Sequence, residues 1–198
     1  MRKKDTAALG KTPRRCRWAA HSDPQMQRYH DREWGRPAHT ERRLFEMLIL
    51  EGAQAGLSWS TILHKRANYR KAFANFDPRK VSRFGAERKA RLLRNPGIVR
   101  NRLKIDSTVS NARAFRQLQR EFGSFDRYLW GFVQGRPLRN RPRTARAVPA
   151  RSVLSDQISS DLKIRGFRFV GTTIVYAYLQ AVGVINDHTR DCFLDRDL

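Results

Sequence analysis

The sequence has few cysteines, few acids and no long apolar run, and each shortage excludes a class of protein. Its 198 residues include two cysteines, so a secreted scaffold held by several disulfides is excluded and reduced thiols in the cytoplasm are expected. No stretch approaches the run of about 18 apolar residues that marks a membrane-spanning helix. The basic N-terminus lacks the apolar segment of a secretory signal. We therefore expect no membrane partner.

Acidic residues are greatly outnumbered by basic ones. The chain has 41 Lys and Arg against 18 Asp and Glu, a formal charge of +23. Nucleic acid is the most common partner of such a surplus, and a general adaptation to an acidic or salty interior is the alternative. The charge is spread along the chain, with a basic tail at residues 1–12 and an arginine-rich segment at residues 134–151. The segment has three prolines and no acid, which predicts an exposed loop.

Apolar residues recur mostly at helical spacing, which predicts an all-α chain of eight or nine helices. Helix starts are predicted from capping residues and from the Asp-Pro pair at 77–78. The predicted helices run from Glu41 to about Ala55, and begin after Ser58, at Asp77-Pro78, near Lys104, after Ser124, after Ser155 and at Thr172. On the first of these, the apolar stripe is Leu44, Met47, Leu48 and, unexpectedly, Glu51.

A turn between two predicted helices has the features of a phosphate-binding hairpin. Pro96 ends the first helix, Gly97 is expected at positive φ, and the second helix then begins with free backbone amides. Such a hairpin grips a DNA backbone without reading its sequence. The alternative is an ordinary connection with a solvated basic rim. The residues predicted to contact the backbone are Gly97, Ile98, Val99, Arg100, Arg102 and Lys104.

Two pairs of residues near the ends of the sequence have the chemistry of metal ligands. The first pair is Cys16 and His30, and the second is His188 and Cys192, whose spacing places both on one helical turn. Two thiolates and two imidazoles suit a tetrahedral Zn²⁺ with every position filled, which would be structural. Two buried thiols or a Cys16–Cys192 disulfide are the alternatives.

A carboxylate lies among aromatic residues. Glu51 shares its helix face with apolar residues, and Trp18, Tyr29, Trp34 and Trp59 surround it in sequence. Burying an unpaired carboxylate is costly, so Glu51 must protonate, pair with an arginine, or await a cationic ligand. Aromatic faces and an acid together suit a flat, positively charged molecule. In the alternative, the aromatics are core and Glu51 pairs with an arginine.

Together these features resemble the 3-methyladenine DNA glycosylases of the type I (constitutive) family. The resemblance extends from about Cys16 to Cys192. It is carried by the motifs RCRW (15–18), YHDREWG (29–35), LFEMLILEGAQAGLSW (44–59), GIVRNRLKI (97–105), NARAF (111–115) and RGFRFVGTTIVYAYLQAVGVINDH (165–188).

The resemblance implies a helix–hairpin–helix fold in two helical lobes, with a zinc site that joins the termini. On this basis we expect a zinc-containing lobe at 13–56 plus 150–198 and a helix–hairpin–helix lobe at 57–149. The zinc ligands would be Cys16, His30, His188 and Cys192. The base pocket would use Glu51, Tyr29 and Trp59 as catalytic residues, with Trp18 and Trp34 as further lining.

The resemblance also implies an activity. The expected enzyme is a monomer that flips and excises N3-methyladenine from double-stranded DNA and leaves an abasic site, with structural Zn²⁺ as its cofactor. Two other functions stay open. One is a noncatalytic, zinc-containing nucleic-acid-binding protein, and the other is a glycosylase that prefers a different alkylpurine.

Overall fold

The computed structural model describes residues 13–195, so the basic tail predicted at 1–12 lies outside the described residues. The described chain is mainly helical, as predicted. Its helices are α1 (Arg17–Ala20), α2 (Pro24–Arg32), α3 (Glu41–Gln54), α4 (Trp59–Ala72), α5 (Pro78–Val81), α6 (Ala86–Leu93), α7 (Arg102–Phe122), α8 (Phe125–Gly131), α9 (Val153–Ile164) and α10 (Thr172–Ala181), with short 3-10 turns at Ala74–Phe76 and Ala145–Ala147.

Side-chain caps explain where most of these helices begin. Ser58, Asp77 and Ser124 each accept a hydrogen bond from a backbone amide of the first turn, as predicted. The prediction that Ser155 caps α9 is wrong. Ser152 is the N-cap, and Ser155 lies three residues later, where the two serines form a reciprocal capping box.

Helix α3 occupies the centre of the fold. All ten residues from Leu44 to Ala53 are buried, because α3 packs against α4, α7, α8 and α10. The sequence predicts one apolar stripe on this helix, whereas the structure buries its whole circumference. Any polar side chain on α3 is therefore removed from bulk water, and this is how the fold buries Glu51.

The arginine-rich segment is exposed as predicted, but two short strands attach it to the end of the chain. Strand β1 (Leu138–Arg139) pairs in parallel with β2 (Ile185–Asn186). Ion pairing reinforces the attachment, because the Arg141 guanidinium contacts the buried Asp195 carboxylate at 2.6 Å. The Arg190 amide also donates to the Pro142 carbonyl at 3.1 Å.

No helix within residues 13–195 is long and apolar enough to cross a membrane. The division into two lobes stays a prediction.

The turn after α10 requires a glycine. Gly183 has φ of +72°, and a Cβ at this position would lie 2.2 Å from the Arg36 carbonyl carbon and 2.4 Å from the Pro37 nitrogen. Gly135 has the same φ with open space around it.

We expect Gly183→Ala to destabilise the fold by more than about 3 kcal/mol, because the backbone of Arg36 and Pro37 must move. Gly135→Ala should cost only the conformational penalty of about 1–2 kcal/mol. Urea unfolding measures both, and equal losses would contradict the steric argument.

Candidate functional site

A cavity of about 470 Å³ opens among α1, α2, α3, α4 and α10. All five pocket residues predicted from the sequence line it: Trp18, Tyr29, Trp34, Glu51 and Trp59. Trp18 and Trp34 meet edge to face with ring centroids 5.2 Å apart, and Tyr29 and Trp59 lie 5.1 Å apart. The lining is therefore mostly apolar, with four aromatic rings and with Glu51 as the acid that α3 contributes.

Glu51 is buried at this cavity and has no partner among the described residues. Its side chain makes no hydrogen bond or ion pair there, and the residue is 4% exposed. Burial raises the pKa of Glu51 to about 8, although the charge of Arg43 opposes the shift. The alternative in which Glu51 pairs with an arginine is wrong. The acid of α3 that pairs with arginines is Glu46, which contacts Arg66 at 2.8 Å and Arg70 at 2.7 Å.

Two neighbouring polar groups also face this environment. Burial and the nearby Glu51 raise the pKa of the Tyr29 phenol well above its usual value, so its hydroxyl keeps its proton. The indole Nε1 of Trp59 is buried and has no hydrogen-bond partner within residues 13–195. An unpaired buried donor is costly, and a ligand with an acceptor atom can satisfy it.

Several lining residues escaped the sequence reasoning. Gln54 follows Glu51 by three positions on α3, and this helical spacing could have identified it. Asp187 accepts hydrogen bonds from Tyr176 Oη at 2.6 Å, Gln180 Nε2 at 2.7 Å and Asn140 Nδ2 at 2.7 Å. No periodicity indicated the remaining lining residues, which are Cys16, Met26, Ala145, Val148, Ala177, Gln180 and Thr189.

The four predicted metal ligands converge beside the cavity. The ligand atoms of Cys16, His30, His188 and Cys192 all lie within 4.8 Å of one another, and all four residues are buried. His188 Nδ1 is 3.5 Å from each sulfur, and His30 Nε2 is 3.6 Å from Cys192 Sγ. This cluster could hold a metal ion, and both cysteines are free thiols.

Each histidine of the cluster is oriented through its other ring nitrogen. His30 Nδ1 lies 2.8 Å from the Asp31 carboxylate, and His188 Nε2 lies 3.2 Å from the Trp34 carbonyl oxygen. Such contacts fix the ring and the tautomer of a metal-binding histidine. Hydrogen bonding with the Cys192 thiol lowers the pKa of Cys16, and the same contact raises the pKa of Cys192.

The predicted hairpin connects α6 to α7. Gly97 does not have positive φ, so that expectation is wrong. It is needed because a Cβ would lie 3.0 Å from the Asn68 side chain. The amides of Gly97 and Val99 donate to Asn95 Oδ1 and Tyr69 Oη, and Ile98 is buried. In the first turn of α7 the Asn101 side chain accepts from the Lys104 amide, so the amides left there for an external anion are those of Arg102 and Leu103.

The basic residues of the hairpin differ in their availability. Arg100 and Arg102 are exposed. Lys104 instead directs its Nζ to the carbonyl oxygens of Ala53 and Ala55, at 2.8 and 2.7 Å. Burial lowers the pKa of Lys104. Its ammonium thus caps the C-terminal end of α3, the helix that carries Glu51.

The fold and the cavity define a helical protein that can enclose one flat ligand against a buried acid, beside a Cys₂His₂ cluster. The family model described as methyladenine glycosylase matches residues 18–195, and the chain belongs to this family. The family resemblance inferred from the sequence is confirmed.

Similar proteins support the same assignment. The chain is 46% identical over 178 residues to DNA-3-methyladenine glycosylase 1 of Escherichia coli K12, covering 90% of this chain and 95% of that protein. It is 40% identical to the DNA-3-methyladenine glycosylase of Haemophilus influenzae, covering 90% and 96%. The 3-methyladenine DNA glycosylase I of Staphylococcus aureus superposes with a TM-score of 0.85 at 37% identity, covering 87% and 92%.

The raised pKa of Glu51 predicts how stability depends on pH. The folded protein keeps this proton until about pH 8, whereas the unfolded chain ionises near 4.5. The contribution of Glu51 to the free energy of unfolding is therefore complete below pH 4.5 and is lost as the pH rises toward 8. Glu51→Gln cannot titrate, so its stability relative to wild type should increase between these values, by at most about 1.4 kcal/mol per pH unit.

Urea unfolding at pH 5, 6.5 and 8 checks this prediction. Glu46→Gln is the comparison. Arg66 and Arg70 lower the pKa of Glu46, so removing its charge should make the variant less stable than wild type at neutral pH. A Glu51→Gln difference that stays constant across this range would refute the burial of an unpaired acid.

Proposed function

We propose that this chain is a monofunctional DNA glycosylase that excises N3-methyladenine from duplex DNA as a monomer and leaves an abasic site. The observation that carries the proposal is Glu51, a buried acid without a partner in an aromatic cavity. The E. coli and H. influenzae relatives are named for this activity, and one solved relative at 37% identity is a 3-methyladenine DNA glycosylase I in complex with 3-methyladenine.

The charge of the lesion supplies the discrimination. N3-methyladenine in DNA is cationic, whereas adenine is neutral. Burial raises the pKa of Glu51 to about 8, so the acid is mostly protonated at neutral pH. A cation that enters beside it favours the carboxylate, and the two charges then stabilise each other away from water. A neutral base gains no such attraction, although it can stack on the same aromatic faces.

The base must leave the DNA helix to reach the cavity, because the reacting bond is otherwise inside the duplex. Flipping costs a few kcal/mol. We propose that α6 and α7 form the helix–hairpin–helix that holds the backbone, through Arg100, Arg102 and the free amides at the start of α7. Stacking against Tyr29 and Trp59 then offsets the loss of stacking in the duplex.

The chemistry requires little of the protein once the base is held. The positive charge already makes the base a good leaving group. Water adds to C1′ of the sugar while the glycosidic bond to the base breaks. The electron pair of the broken bond stays with the base and neutralises its charge, and the attacking water releases a proton. The enzyme acts mostly by capture and orientation. No lysine is found among the described residues that line the cavity, so we propose no Schiff-base intermediate.

We propose that the Cys₂His₂ cluster holds structural Zn²⁺. A tetrahedral Zn²⁺ sets its sulfur and nitrogen ligands about 3.5 Å apart. The three sulfur–nitrogen distances of 3.5, 3.5 and 3.6 Å agree with this geometry. Because the protein fills all four positions, the ion would join the two ends of the described chain without entering the chemistry. Cys16 also lines the cavity, so the ion would support one of its walls.

Glu51→Gln tests the activity. Removing the charge that stabilises the bound cation should lower excision of N3-methyladenine from alkylated duplex by about 100-fold or more. Affinity for undamaged duplex should stay unchanged, because Glu51 is buried away from the backbone. Glu121→Gln makes the same charge change at an exposed position and should excise at the wild-type rate. Chromatography of the released bases gives the rate and the product together.

The two alternatives predict different products. A noncatalytic binding protein releases no base from alkylated duplex, and a glycosylase with another preference releases a different alkylpurine. Equal losses of excision and of undamaged-duplex affinity in Glu51→Gln would overturn the role assigned to this residue.

Metal content tests the zinc proposal. Elemental analysis should give one zinc per chain, and Asp31→Asn should weaken metal affinity roughly 10- to 100-fold because it releases the His30 ring. His39→Ala changes an exposed histidine outside the cluster and should retain the metal. A metal-free protein whose mass shows an oxidised Cys16–Cys192 pair would contradict the proposal and support the disulfide.

A further inference from the structure

A second cavity adjoins the first on its arginine-rich side. Its volume is about 360 Å³, and it shares Ala145 and Thr189 with the aromatic cavity. The other residues that line it are Arg17, Arg143, Thr144, Arg146 and Asp191. The two cavities therefore adjoin at Ala145 and Thr189.

Within residues 13–195, no acid neutralises the guanidinium groups of this second cavity. Arg17, Arg143 and Arg146 are exposed and form no ion pair with any acid in the described part of the chain. The one acid in the lining, Asp191, lies 2.9 Å from Arg14. Three like charges around one concavity repel each other unless an anion enters.

The segment that carries two of these arginines is held in place. Arg141 forms a two-pronged contact with Asp195, which is 3% exposed. The Arg190 side chain donates a hydrogen bond to the Arg141 carbonyl oxygen at 3.0 Å, and the Arg190 backbone amide donates one to the Pro142 carbonyl oxygen. Arg143 follows directly. Its neighbours Ala145 and Val148 form part of the wall of the aromatic cavity.

We propose that this arginine cavity binds the phosphate next to the flipped nucleotide. The inference rests on the proposed function, since a base inserted in the aromatic cavity keeps its sugar and phosphates at the cavity rim. Arg143 and Arg146 lie on either side of Ala145, which places their charges along that rim. A guanidinium group can donate two parallel hydrogen bonds to two oxygens of one phosphate. This fixes the orientation of the phosphate as well as balancing its charge. The cavity would thus hold the lesion strand, separately from the hairpin.

A double-mutant cycle with the DNA tests this contact. The full-length protein and Arg143→Ala/Arg146→Ala are titrated with duplex that carries a tetrahydrofuran abasic analogue, and fluorescence anisotropy is followed at several salt concentrations. The variant should bind roughly tenfold more weakly, with a salt dependence less steep by about one counterion, because one phosphate contact is lost. Replacing the flanking phosphate by neutral methylphosphonate should weaken binding by wild type and leave the variant unaffected.

The matched control removes two charges elsewhere. Arg120 and Lys163 are exposed and line neither cavity, and Arg120 is 18 residues from the start of α7, about 27 Å along the helix. Arg120→Ala/Lys163→Ala should retain the methylphosphonate effect in full. Binding of free 3-methyladenine, followed by tryptophan fluorescence, should be equal in all three proteins and shows that the aromatic cavity is intact.

Two results would overturn the phosphate site. One is an equal methylphosphonate effect in wild type and in Arg143→Ala/Arg146→Ala, and the other is an equal loss of affinity in the control variant, which would mean diffuse attraction only. Failure of the proposed function is distinguished by the excision assay. In that case wild type would release no base from alkylated duplex, whatever the result of the binding cycle.

Discussion

The structure depends on one carboxyl group, that of Glu51, which has no partner within residues 13–195 and lies near the end of a helix that is buried on every side. Helix α3 supplies the centre of the core, and such a position normally excludes ionisable residues unless they are paired. Glu46 satisfies that rule through Arg66 and Arg70, whereas Glu51, just over one turn later, does not. The fold therefore maintains an electrostatic cost that the proposed cationic base would relieve, and the surrounding aromatic rings favour a flat molecule.

The walls of the cavity depend on contacts between distant parts of the chain. Trp34 both lines the cavity and accepts a hydrogen bond from His188, a cluster residue more than 150 positions away. The arginine-rich segment supplies Ala145 and Val148 only because β1 pairs with β2 and Arg141 pairs with Asp195. Local sequence cannot specify such a wall, so its shape follows from how the last residues of the described chain return to the first.

The sequence predicted what local spacing and residue chemistry determine. The mainly helical fold followed from apolar periodicity and three of the caps from capping chemistry, whereas the convergence of the two Cys–His pairs was suggested by ligand type and implied by the family resemblance. The inward direction of Glu51 followed from its i+3 and i+4 neighbours. Long-range packing decided the rest. It buried all of α3, used Gly97 for a close approach to Asn68, and placed Asp187 in the cavity. Ser152 rather than Ser155 is the cap, because the Ser152 hydroxyl accepts from the Ser155 amide and the Ser155 hydroxyl accepts from the Ser152 amide.

Lys104 connects the two halves of the proposed activity. The sequence places it with the phosphate-binding residues of the hairpin, yet its ammonium lies against the carbonyl groups of Ala53 and Ala55. A cation at the C-terminal end of a helix is stabilised by the helix dipole and satisfies carbonyl groups that have no partner within the helix. The first turn of α7 is thereby fixed to the end of α3, two residues beyond Glu51. The element proposed to meet the DNA backbone is thus joined by two hydrogen bonds to the helix that carries the acid proposed to face the base, so the two parts of the proposed site have a fixed spacing.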